Sequence, residues 1–76
     1  MTKALNEEEA KQITTEFVKK KKNCDKVEIS SVKQKGEYWI ISGTCPINLE
    51  GHLWAEKFHV VLDKKGKVKL SDFSLL

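Results

Sequence analysis

From Asn6 the apolar positions recur at helical spacing. Ala10, Ile13, Phe17 and Val18 fall on one stripe, with Thr14 on the same side. Asn6 is a good N-cap, and Glu9 three residues later completes a capping-box pattern. Glu7, Glu8 and Glu9 open the segment and Lys19 to Lys22 close it, each charge matching its end of the helix dipole. Asn23 is a fitting C-cap. The pattern predicts a helix over 7–21.

Beyond Asn23 the period shortens to that of strands. "KVEISSVKQ" alternates at Val27 and Ile29 and changes phase at Val32, which a bulge at Ser30-Ser31 explains. "QKGE" reads as a tight turn around Lys35-Gly36. "EYWIISGTC" and "HLWAEKFHVVLD" are strands with apolar residues on both faces. "DKKGK" fits a type I turn with Gly66 left-handed, and "KVKLSDFSLL" is the last strand. Pro46 cannot donate to a ladder and is taken to end its strand, which leaves "PINLEG" as the longest connection. Short links force antiparallel neighbours. The expected class is α+β, one N-terminal helix packed on a four-stranded antiparallel meander sheet, in the order α-β-β-β-β.

The turns suggest a register, and the register sorts the faces. Pairing Asp63 with Lys67, Gln34 with Glu37 and Cys45 with His52 puts Val60 opposite Leu70, Val32 opposite Trp39, and Gly43 opposite Trp54. One face then carries Val32, Trp39, Ile41, Trp54, Phe58, Val60, Leu62, Val68 and Leu70, and this is the face expected under the helix. Glu56 lands there too. It lies beyond the helix footprint, or a bulge in "WAEK" shifts the register. The outer face would carry Val27, Ile29, Tyr38, Ile40, Leu53, His59, Val61, Phe73 and Leu75. One helix cannot cover both faces, and large contiguous apolar patches mark contact sites.

The chain has 76 residues, 39% hydrophobic and 33% charged, so it makes one globular domain at most, 1–76. A chain this short buries only about 60% of its unfolded surface. No apolar run approaches the ~18 residues that span a membrane. The N-terminus has no secretory h-region, so a cytoplasmic location and reduced thiols at Cys24 and Cys45 are expected. A Cys24–Cys45 disulfide would enclose about twenty residues and stabilise by roughly 3 kcal/mol. The net charge is +3, and every positive residue is lysine. Without arginine, bidentate reading of bases is disfavoured, while loose phosphate contact by lysine stays open.

Candidate chemistry is sparse. Cys24, Cys45, His52 and His59 are zinc-ligand types, but they form neither a Cys-x-x-Cys nor a His-x3-5-His pair. His52 and His59 are also seven residues apart on one strand, so they face opposite ways. In the trial register Cys45 and His52 are cross-strand neighbours, and a histidine there would lower the thiol pKa. No third residue orients the histidine. Glu7 to Glu9 fan out on a helix and serve the dipole. No metal, cofactor or catalytic residue is expected.

The opening "EEAKQITTEFV" and the closing "FHVVLDKKGKVKL" together resemble PepSY-type and other cystatin-like small domains. That resemblance implies one helix against an antiparallel meander, and it carries no site onto named residues. The expectation is a non-catalytic protein–protein interaction domain, self-associating as a homodimer through Tyr38, Ile40, Leu53, His59, Val61 and Phe73. Ile47 and Leu49 at the tip of the connection would contribute. A lysine-rich nucleic-acid-binding module is the second reading, and a thiol-based activity at Cys45 with His52 the third.

Overall fold

A computed structural model describes residues 5–24 and 26–75. Helix α1 (Glu7–Lys22) is followed by β1 (Glu28–Lys35), β2 (Tyr38–Leu49), β3 (His52–Leu62) and β4 (Val68–Leu75). The strands form one antiparallel sheet in the order β1-β2-β3-β4. The expected α+β meander is the fold.

The helix begins and ends as its termini dictate. Asn6 Oδ1 accepts from the Glu9 N–H at 2.8 Å, and Glu9 Oε1 accepts from the Asn6 N–H at 3.2 Å. Two of the four orphan N–H groups of the first turn are thereby satisfied. Asn23 takes the left-handed conformation that stops the helix. Ala10, Thr14 and Val18, four residues apart, are its fully buried positions. Ala10 and Val18 join Trp39, Ile41, Cys45, Phe58, Val60 and Leu62 of the sheet in one core. Burying a Phe or Leu of this kind stabilises by about 1.5–3 kcal/mol.

The bulge expected at Ser30-Ser31 is present at Ser30 in β1, and it pairs Ile29 with Gly43 and Val32 with Ile41. The faces and the other registers differ from the expectation. Ile29 and Val32 therefore share the helix side, where both pack against the core together with Val27. The first turn is Gly36-Glu37, with Lys35 opposite Tyr38. In β4 a second bulge at Lys69 reverses the phase after Val68. Leu70 moves to the outer face, opposite Val61, and is 59% exposed. Phe73 moves the other way, opposite Phe58 on the helix side.

The largest change is between β2 and β3. Cys45 pairs with Glu56 and Gly43 with Phe58, and Trp39 faces Leu62. The ladder runs on through Pro46–Ala55 to Leu49–His52. "PINLEG" is strand up to Leu49, and the turn is Glu50-Gly51 alone. Both have positive φ, 51° and 83°, as a type I′ hairpin turn requires. Residues flanking a two-residue turn exchange both backbone hydrogen bonds, so every second residue outward points away from the partner. Pro46 falls on such a position. Its missing N–H costs the β2–β3 ladder nothing, and the strand continues through it.

β1 pairs with β2 only as far as Thr44, and β4 pairs with β3 as far as Glu56. The hairpin beyond that line is a two-stranded arm. It gives a molecule 48 Å long and 18 × 17 Å across. The radius of gyration is 12.8 Å, against roughly 11 Å for a compact chain of this length.

Candidate interaction surface

The arm presents apolar side chains that nothing in the described fold covers. Leu53 is 81% exposed and Trp54 48%. They are sequence neighbours on a strand, so they project from opposite faces. Trp54 lies across from Ile47 on the helix-side face, with the exposed His52 ring edge-on to it at 6.5 Å. Leu53 lies across from Asn48 on the outer face. A depression of about 310 Å³ at the root of the arm is lined by Lys26, Glu28, Thr44, Cys45, Pro46, Leu53, Trp54 and Ala55. Ile47 is half-buried, and the side chain of Leu49 lies outside what the structure describes.

The outer face of the sheet is built in cross-strand rows. One row runs Lys33, Ile40, Val61, Leu70, with Ile40 and Val61 half-buried at its centre. Tyr38, 47% exposed, stands at the end of the next row. On the other side the row is Ser31, Ser42, His59, Asp72. Ser42 Oγ and His59 Nδ1 share a hydrogen bond of 2.6 Å, and Ser30 Oγ donates to the Ser42 carbonyl at 3.2 Å. The apolar part of this face is thus narrower than expected, because both bulges turn residues inward. Phe73 is not on it. Its ring packs at 6.4 Å from that of Phe58, with the Lys22 ammonium 4.5 Å from its centroid.

The root of the arm is anchored by Glu56. It sits under the helix C-terminus rather than beyond it, and Lys22 Nζ meets its Oε1 at 2.9 Å. The ion pair explains a carboxylate on the buried face, and the β2–β3 ladder has no bulge in "WAEK". Removing either partner would leave the other charge desolvated.

The expected Cys45–His52 neighbourhood does not form. His52 pairs with Leu49 at the arm tip, while Cys45 is fully buried opposite Glu56. Burial and the adjacent Cys24 thiol push the Cys45 pKa up to about 11, the reverse of an activated thiolate. Both cysteines are free. Among the described residues no group of three or more His, Cys, Asp and Glu is placed to hold a metal ion. No helix among them is long and apolar enough to cross a membrane.

Of the anticipated contact residues, Tyr38, Ile40, His59 and Val61 share the outer face of the body and Leu53 continues it along the arm. The exposure of Trp54 and Leu70 was not anticipated. For Trp54 the available signal was Glu50-Gly51 between segments of matching alternation. Comparison with protein families, with curated proteins and with solved structures finds no match for this chain.

Proposed function

We propose that the chain is a small non-catalytic interaction domain that pairs with a second copy of itself through the β2–β3 arm. The exposure of Leu53 and Trp54 on a hairpin that leaves the body of the fold carries this reading. Two further features favour a second copy as the occupant. Residues 45–55 contain one charged residue, Glu50, in a chain that is 33% charged, and every lysine lies outside them. Two arms therefore approach with little of the repulsion between chains of net charge +3. A strand set antiparallel against its own copy is also self-complementary about a two-fold axis, so the contact closes at a dimer. The outer row of Ile40, Val61 and Leu70 lies on the same side as Leu53 and extends the apolar surface toward the body. The resemblance to PepSY-type and cystatin-like domains implies no residue role.

Sedimentation velocity tests the reading. The native chain is expected to be dimeric at concentrations on the order of 10 µM, and Leu53→Lys to be monomeric with an unchanged circular dichroism spectrum. Leu53 is 81% exposed, so the substitution leaves the fold intact. A native chain that stays monomeric at about 100 µM would sink the proposal.

A further inference from the structure

Cys24 and Cys45 meet where the helix ends against the sheet. The Cys24 N–H donates to the Lys19 carbonyl at 3.3 Å, which fixes the residue directly after the left-handed cap at Asn23. Two residues earlier, Lys22 reaches Glu56, the cross-strand partner of Cys45. The chain is thereby tied down on both sides of the thiol pair. Cys24 is half-exposed and packs on the core, and Cys45 is fully buried within it beside Cys24. Cys24 is the partly exposed member of the pair and Cys45 the enclosed one.

We infer that Cys24 and Cys45 are a reversible disulfide site, formed by exchange with a small-molecule disulfide of the glutathione class, that pins the helix C-terminus to the root of the arm. Cys24 opens the exchange. Its thiolate attacks one sulfur of glutathione disulfide, breaking that S–S bond and releasing one glutathione thiolate. Cys45 then gives up its proton to solvent and attacks Cys24 Sγ. The mixed disulfide breaks and the second glutathione leaves as thiolate. Two cysteines are oxidised, one disulfide is reduced, and the two protons end on two glutathiones.

The surroundings of Cys45 set the speed of the second step. Burial and the Glu56 carboxylate hold its pKa above the ordinary thiol value, and Lys22 opposes them; Cys24, bound in the mixed disulfide, no longer contributes. Closure should accelerate about tenfold per pH unit between roughly pH 7 and pH 9.

The experiment incubates the folded chain with excess glutathione disulfide at about pH 8, then alkylates it and weighs it intact. The expected product has lost two hydrogens, carries neither glutathione nor alkyl groups, and runs as a monomer on a non-reducing denaturing gel. Its Tm rises by on the order of 10 °C and falls back on reduction. Cys45→Ala should stop at one glutathione on Cys24. The native chain decides the matter even if that variant fails to fold. The inference is overturned by two thiols that stay alkylatable, by a glutathione adduct that does not close at about pH 9, or by cross-linked dimers alone.

Discussion

At Gly43 the backbone of β1 comes so close that a Cβ would overlap the Glu28 carbonyl oxygen, and it would stand 2.7 Å from Phe58 Cζ. The phenyl ring of Phe58, fully buried, occupies the space a side chain would take. Neither neighbour can give way, since one is backbone and the other is locked in the core. Gly43→Ala is expected to destabilise by about 3 kcal/mol and to lower Tm by more than about 10 °C. A thermal melt of the variant that overlays the native one would refute that packing. Glycine is required here for close approach rather than for backbone conformation, and the required partner is Phe58 where the trial register had Trp54.

Among the elements, the β3–β4 hairpin shows how a short turn is made to hold. Gly66 has φ 86° and its N–H donates to the Asp63 carbonyl at 3.0 Å, as the sequence led us to expect. Asp63 Oδ1 also accepts from the N–H groups of Lys67 and Lys65, each at 2.9 Å. The Lys67 bond chiefly holds the carboxyl pKa below its usual range, aided by the Lys65 bond and the Lys69 charge. A depressed pKa means the carboxylate stabilises the folded chain above the unfolded value of about 3.9. That contribution is lost as pH falls through the lower folded value. Urea midpoints of the native chain and Asp63→Asn should therefore differ near neutral pH and converge in strong acid. A difference that persists unchanged below about pH 2 would rule the carboxylate out as its source.

For the whole molecule, length and charge distribution decide what association should look like. The arm carries the body's apolar face outward, whereas the lysines cluster near the helix C-terminus and the last hairpin. Dimerisation through the arm should be unchanged or slightly tighter when salt is raised from about 50 to 500 mM, because salt screens the repulsion between two chains of net charge +3. Equilibrium sedimentation at the two salt concentrations measures this. A steep weakening would point to ionic contacts instead, and it is the behaviour expected of lysine–phosphate binding.

Local rules read from the sequence were enough for the helix with both its caps, the Asp63–Gly66 turn and the order α-β-β-β-β. Capping, turn chemistry and period are properties of a few adjacent residues. What those rules could not reach was register. A one-residue shift moves a strand's side chains to the other face, and no local signal distinguishes the choices. The bulge at Lys69 sends Leu70 outward and Phe73 inward, and nothing in "VKLSDFSLL" announces it. Pro46 looked like an end because its own backbone cannot donate. Whether that matters depends on which side of the ladder it faces, and the turn at Glu50-Gly51 sets this four residues away. The arm, the burial of Cys45 beside Cys24 and the pairing of Glu56 with Lys22 all follow from that one register, which the turn at Glu50-Gly51 sets and the packing of helix on sheet decides in its consequences.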